Sequence, residues 1–314
     1  MDIPGLDDIL HSLTHLHDNY KWTLSFADRR VADWPLMSSP LPTIILIILY
    51  LLTIHWGPQL MSNKEPFQLK WTLVIYNLTV MLLNLYIGVE LYHCALKRQY
   101  NWSCQLVDYS DNPYEVRIAK ALWWYYFSKL VEFLDTIFFI LRKKSNQLTF
   151  LHVYHHSTMF GLWWIGVKWV PGGSAAPGAM ANSFVHVVMY LYYGLSAFGP
   201  SVQKYLWWKK YLTVLQLIQF IAAVTMGINA IATGCRFTLW MQYALVAYSF
   251  SFILLFGNFY WNSYVKKNKR KQLSTEEHIP NGIIKSNSSH FHRKYISSQG
   301  SLYAARRKVD KVRS

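Results

Sequence analysis

Seven apolar runs, each near the length of a bilayer crossing, restrict this chain more than any other feature it carries. They fall at residues 41–60, 71–95, 118–141, 150–170, 181–198, 211–232 and 238–260. About 20 consecutive apolar residues span the hydrocarbon of a membrane as one helix. A backbone in lipid must also satisfy its own N–H and C=O groups, which a helix does. The expected fold class is therefore all-α: a polytopic membrane protein of about seven transmembrane helices. The third and fourth runs are the weakest by hydropathy, because polar residues interrupt them.

Charge sets the expected orientation. The net charge is +15, and residues 263–314 hold 13 Lys+Arg against 3 Asp+Glu. With the N-terminus in the lumen, the cytosolic loops carry Lys64, Lys70, Arg142, Lys143, Lys144, Lys204, Lys209 and Lys210. The opposite loops offset Lys97 and Arg98 with Asp108, Asp111 and Glu115. This is the positive-inside pattern. It divides the chain into a lumenal segment (1–40), a transmembrane domain (41–262) and a basic cytosolic tail (263–314) of disordered composition. The positive charge thus belongs to a tail beside a membrane. No zinc-finger spacing or RNA-binding motif points to nucleic acid. The acidic first residues lack a basic n-region and an apolar h-region, so no cleavable signal peptide is expected.

Four groups of polar residues lie inside the apolar runs. The third run holds Lys129, Glu132, Asp135 and Thr136, at offsets that share one helical face. Such residues in hydrocarbon must meet each other, a water-filled cavity or a ligand. The fourth run opens with His152, His155 and His156, three imidazoles within about one turn. A short loop joins these two runs, so their polar faces are expected to meet near the cytosolic side. The fifth run places Asn182, His186 and Tyr190 on one stripe with Tyr193 beside it, and the sixth places Thr213, Gln216 and Gln219 at i, i+3, i+6. Interhelical hydrogen-bond glue is the favoured explanation of the last group. Arg142, Lys143 and Lys144 serve both as a topology anchor and as a landing site for a polyanion such as the phosphates of CoA.

Of the three cysteines, Cys104 and Cys235 fall in loops on the lumenal side, where a bridge and two free thiols are both open. Asn101-Trp-Ser103 is a glycosylation sequon in a lumenal loop, whereas that at Asn77 is buried in an apolar run and that at Asn287 is cytosolic.

Three chemistries compete for these residues. A di-iron oxygenase needs more histidine boxes than the one His-x-x-His-His and His186 present. A transporter or receptor tolerates intramembrane Lys, Glu, Asp and His, but nothing suggests broken helices or inverted repeats. An acyl-transfer or carbon–carbon bond-forming enzyme uses every unusual feature: imidazole as base or nucleophile, a lysine and amides for a developing oxyanion, and an apolar interior for an acyl chain.

Lys129-x-x-Glu132-x-x-Asp135-Thr136, His152-x-x-His155-His156, Asn182 to Tyr193 with His186-x-x-Met189-Tyr190, and Thr213-x-x-Gln216-x-x-Gln219, in this order, resemble the signature boxes of the elongases of very long-chain fatty acids. The resemblance runs from about residue 34 to residue 264. It is strongest to animal elongases of polyunsaturated and very long acyl chains. It implies a seven-helix 3-ketoacyl-CoA synthase of the endoplasmic reticulum membrane, enclosing an acyl-chain tunnel, with no bound cofactor and no metal. Such an enzyme condenses acyl-CoA with malonyl-CoA and releases CoA and carbon dioxide.

Carried onto this sequence, the resemblance makes His155 the acyl acceptor, with His152, His156 and His186 orienting groups or moving protons. Lys129 and Asn182 lie near the thioester and carboxylate. Asp135 and Glu132 set the histidine tautomers and the lysine charge. Tyr190, Tyr193, Gln216 and Gln219 line the substrate, and Arg142, Lys143 and Lys144 hold CoA phosphates. The resemblance also favours the Cys104–Cys235 bridge. Expected partners are membrane lipid, the ketoacyl-CoA reductase, dehydratase and enoyl-CoA reductase of the elongation cycle, and homo- or hetero-oligomers with other elongases. Two departures from the family pattern stand out: Met226 occupies about the position of a usual histidine, and Lys311-Val-Arg-Ser314 lacks a dilysine retrieval spacing.

Overall fold

The expected apolar runs all become helix. The computed structural model describes residues 6–266. Most of the basic tail, the Asn287 sequon and the C-terminal four residues lie outside the described residues. Within them there are ten α-helices and no strand: α1 (Leu6–Leu24), α2 (Leu41–Leu60), α3 (Lys70–Lys97), α4 (Pro113–Val131), α5 (Phe133–Leu141), α6 (Phe150–Trp169), α7 (Ala175–Ser196), α8 (Pro200–Gln203), α9 (Lys209–Ala232) and α10 (Leu239–Tyr260). Residues up to 258 form one unit; residues 259–266 belong to a second, here the last turn of α10 and a π-helical stretch, Trp261–Val265.

The seven runs correspond to α2, α3, α4 with α5, α6, α7, α9 and α10. By length and composition, α2, α3, α9 and the helix running Leu239–Val265 are apolar enough to cross a membrane. The remaining three carry three of the four polar groups and sit inside, which is why their hydropathy is weak. α3 packs most extensively against α7 and then α4, α6 lies against α4 and α2, and α9 touches α7. The outer helices turn large apolar side chains outward, among them Ile48 and Leu51 of α2, Ile75 and Leu82 of α3, and Ile218 and Ile221 of α9. That surface suits lipid. On α2, only Thr43, Tyr50 and Gly57 are buried, and their spacing of seven defines a single inward stripe. A Cβ on Gly57 would lie 2.9 Å from Ile140 Cδ1, so the glycine lets α2 approach α5.

The third run is not one continuous helix. It breaks at Glu132, which closes α4 and opens α5. No proline or glycine marks the break. Ser128 Oγ donates to Tyr125 O at 2.7 Å, a back-bond that bends helices. α7 begins at Ala175, ahead of the apolar run at 181–198; Pro177 fits there because a first-turn residue has no helical N–H partner to lose.

One end of the bundle is tied down by covalent and ionic links. Cys104 and Cys235 form a disulfide with Cα atoms 5.7 Å apart, joining the α3–α4 and α9–α10 connections. Arg98 binds Glu115 at 2.8 Å and Asp108 at 2.9 Å, and Arg117 binds Glu90 at 2.6 Å. Tyr100 OH donates to Glu115; burial, and then that carboxylate, push the phenol pKa up and keep it a donor. Gly173 has a φ of +56°, and a Cβ there would lie 2.7 Å from Gln105 O, so the turn before α7 requires glycine on both counts. The segment before α2 is fixed at the same end. Val31 and Met37 are wholly buried, Lys168 Nζ donates to Met37 O at 2.9 Å, and Trp164 Nε1 donates to Leu36 O at 2.8 Å.

Candidate active site

The polar residues of the third and fifth runs meet as rungs between two helices. α4–α5 and α7 run in the same direction, so equal steps along each stay in register. Tyr125 OH donates to Asn182 Oδ1. One step on, Glu132 Oε1 accepts from Lys129 Nζ at 2.8 Å and lies 3.2 Å from His186 Nδ1. The next rung is Tyr190 OH donating to Asp135 Oδ2 at 2.7 Å. Asn182, His186 and Tyr190 follow one another along α7 in the same order as their partners along α4–α5. Lys129 also lies over the Tyr125 ring, 4.5 Å from its centroid. Lys129, Glu132 and His186 are buried. A lone charge there would be costly, so the pair is held together by its own desolvation.

The polar face of this box meets the histidine helix through Thr136, whose Oγ1 is 2.7 Å from His152 Nε2. Lys129, Glu132 and Asp135 make their side-chain hydrogen bonds within the box and to α7. Asp135 was expected to set a histidine tautomer; the hydrogen bond on its Oδ2 comes from Tyr190 instead. The reason is the break at Glu132, which re-phases α5 relative to α4 and brings Thr136 round to α6.

On α6, Thr149 caps the helix by accepting from the His152 N–H. The three histidines follow within the first two turns. The His152 and His156 ring centroids are 4.2 Å apart, His156 and His155 are 5.0 Å apart, and His155 is 6.3 Å from His186. The imidazoles therefore form a continuous row from Thr136 to the Lys129–Glu132 pair. Within it, His156 Nδ1 and Glu132 Oε2 are buried without a hydrogen-bond partner among the described residues. Among the described residues, no three His, Cys, Asp or Glu side chains converge to hold a metal ion.

His155 also faces an apolar space. A cavity of about 150 Å³ lies between α6, α7, α9 and α10. Its near end is formed by Tyr125, His155, Asn182, Gln219 and Phe252. Its length is walled by Met159, Ala223, Met226, Gly227 and Ala230, and its far end, beside the disulfide, by Trp102, Ser103 and Phe237. Met226, the departure from the family pattern, is thus a wall residue.

The remaining expected residues lie further out. Gln216 Nε2 sits 3.7 Å from Met189 Sδ, linking α9 to α7. Tyr193 is 42% exposed, with its ring 6.4 Å from that of Tyr190. Arg142, Lys143 and Lys144 follow α5; Lys143 Nζ donates to Ser62 O at 2.8 Å, so this lysine braces the α2–α3 connection. Sequence reasoning passed over Tyr125, which holds Asn182, and Tyr50, whose hydroxyl lies 3.1 Å from Thr136 Oγ1. The signal for Tyr50 was its place in the seven-residue stripe of α2.

The family model described as ELO, the GNS1/SUR4 family, matches residues 35–272. The chain is 58% identical to very long chain fatty acid elongase 4 of Mus musculus over 266 residues, 84% of each chain. It is 57% identical to elongase 4 of Homo sapiens over 289 residues, 90% of this chain and 91% of the other. Elongase 2 of Mus musculus is 49% identical over 258 residues, 82% of this chain and 87% of the relative.

Proposed function

The chain belongs to the GNS1/SUR4 family, and on that premise we infer that it is a very-long-chain fatty acid elongase, the 3-oxoacyl-CoA synthase of fatty acid elongation. Family membership replaces the transporter or receptor alternative. Its substrates are a long acyl-CoA, which we take to be polyunsaturated, and malonyl-CoA. One observation supports locating the chemistry at His155: its imidazole lines the apolar cavity on one side and adjoins the His186–Lys129–Glu132 cluster on the other.

The reaction proceeds in two halves in this reading. The His155 imidazole attacks the acyl thioester; a C–N bond forms, the C–S bond breaks, and CoA leaves as a thiolate that takes up a proton. Malonyl-CoA then loses carbon dioxide, and the electron pair of the broken C–C bond becomes an enolate. The enolate attacks the acyl carbon, the C–N bond breaks, and 3-oxoacyl-CoA and free His155 result. Overall, acyl-CoA, malonyl-CoA and one proton give 3-oxoacyl-CoA, carbon dioxide and CoA.

The neighbours have matching tasks. Asn182 accepts from Tyr125 through Oδ1, which leaves its Nδ2 as a donor to a thioester oxygen. Lys129 supplies positive charge beside the malonyl carboxylate, and Glu132 keeps that charge in place. His152, His156 and His186 orient the groups and carry protons. Arg142 and Lys144 bind CoA phosphates at the open end. The same reading puts the protein in the endoplasmic reticulum membrane with its N-terminus lumenal and C-terminus cytosolic. There it would hand its product to the reductase, dehydratase and enoyl reductase, alone or in oligomers with other elongases.

The test is purified protein supplied with acyl-CoA and malonyl-CoA. Wild type yields 3-oxoacyl-CoA two carbons longer, and His155→Ala lowers the rate by at least about 100-fold. With acyl-CoA alone, intact mass spectrometry shows one added acyl group, absent in His155→Ala. Condensation without any adduct would remove the covalent step and leave His155 as a base.

A further inference from the structure

Three helices are joined at one hydroxyl. Thr136 of α5 is wholly buried, and Tyr50 of α2 is nearly so. Tyr50 OH lies 3.1 Å from Thr136 Oγ1, and Thr136 Oγ1 lies 2.7 Å from Nε2 of His152 on α6. Tyr50 is held by its ring as well, stacked on Phe133 with centroids 4.2 Å apart. Nothing in the reaction described above uses Tyr50 or Thr136.

A threonine hydroxyl has one proton to give. If Nε2–H donated to Thr136, either the threonine donates to Tyr50 and the Tyr50 proton has no acceptor among the described residues, or the threonine accepts from Tyr50 as well and its own proton has none. The reverse order leaves no hydroxyl proton unmatched: Tyr50 donates to Thr136, Thr136 donates to Nε2, and the imidazole keeps its proton on Nδ1, which is not among the fully buried unpartnered atoms. A buried donor left unmatched is costly, which selects this order. We propose that Tyr50 and Thr136 are positioning residues that fix His152 as the neutral Nδ1–H tautomer, so that it lies uncharged against His156 and holds the histidine row in register for acyl transfer.

The proposal rests on the reading of the histidine row as the condensing site. It adds two residues on two other helices, and it explains why the lysine–carboxylate box continues to a threonine that touches neither charge. The titratable groups around His152 are Tyr50 on α2, reached through Thr136, Glu132 at the α4–α5 break, and His155 and His156 on its own helix. Only Tyr50 and Thr136 form its hydrogen-bonded chain.

The experiment compares Thr136→Val, Thr136→Ser and Tyr50→Phe in the full-length protein, with His155→Ala as control. Thr136→Val keeps shape and removes the hydroxyl. It should lower kcat about 10- to 100-fold with KM for acyl-CoA unchanged, the range found when an outer hydrogen-bond partner of a functional imidazole is removed. It should also shift the kcat–pH profile, because both ring nitrogens become free to take a proton. Thr136→Ser should return most of the rate and the wild-type profile. Tyr50→Phe should shift the profile in the same direction with a smaller loss. Should Thr136→Val fail to fold, Tyr50→Phe carries the test, since it deletes one oxygen. Wild-type kcat and pH profile in Thr136→Val or Tyr50→Phe, even with lowered thermal stability, would overturn the proposal. Absence of condensation by the wild type would instead overturn the functional reading.

Discussion

Lys129 Nζ and Glu132 Oε1 are 2.8 Å apart across the last turn of α4, and neither side chain is more than 1% exposed. The pair is therefore a unit. Replacing Glu132 with Leu strands the lysine charge in the interior and removes the acceptor of His186 as well. The expected cost is about 3–5 kcal/mol, as for other buried pairs that lose one partner. Glu132→Leu combined with Lys129→Met should recover most of that stability, because no charge is then buried alone. Neither protein should condense substrates. Thermal midpoints in detergent decide the matter: a double variant no more stable than the single one contradicts a buried ion pair.

The sequence carried this pair but not its partner. Window hydropathy and helical spacing located the seven apolar runs and the residues sharing each polar face, but not α1 in the polar segment before them. What stayed hidden was phase. The break at Glu132 has no proline or glycine to announce it, and it turns the carboxylates toward α7 and Thr136 toward α6. Tyr125 and Tyr50 were hidden for another reason. A tyrosine in an apolar run looks like packing until its hydroxyl's partner is known, and that partner lies on a helix far away in sequence. The spacing of Thr43, Tyr50 and Gly57 was the available clue.

The cavity beyond His155 sets a length limit for the acyl chain if that chain occupies it. Ala230 is buried near the far end, and Met226 stands on the wall. Ala230→Trp should fill the end and shorten the longest product by at least one elongation cycle, while Met226→Ala should widen the bore and shift products to longer chains. Product profiles by gas chromatography test both. Unchanged lengths in both variants would place the acyl chain elsewhere.

The Cys104–Cys235 bridge closes a loop with a sequence separation of 131 and holds the far end of the cavity together with the hydrogen bond from Asn229 Nδ2 to Ser103 Oγ. Cys104→Ser with Cys235→Ser should cost about 2–5 kcal/mol, as for native disulfides generally. It should also let Trp102 and Ser103 move from the cavity end, broadening the product lengths. A thermal midpoint unchanged from wild type would show that the two connections are held by the surrounding ion pairs alone.

Asn101 and Asn77 form an internal control for orientation. Asn101 is exposed, with its Oδ1 accepting from the Ser103 N–H at 3.0 Å. Asn77 is 4% exposed, and its Nδ2 donates to Leu73 O at 2.6 Å inside α3. Glycan transfer requires a lumenal, accessible asparagine. With the disulfide end in the lumen, the protein made in membranes carries one N-glycan. Its mobility shift is lost in Asn101→Gln, while Asn77→Gln leaves it intact. If a glycosidase shifts neither wild type nor a variant with a longer engineered sequon in the same loop, the disulfide end faces the cytosol. Arg142 and Lys144 would then open onto the lumen, away from the cytosolic CoA thioesters the site needs, so the glycan reports on the direction from which substrate enters.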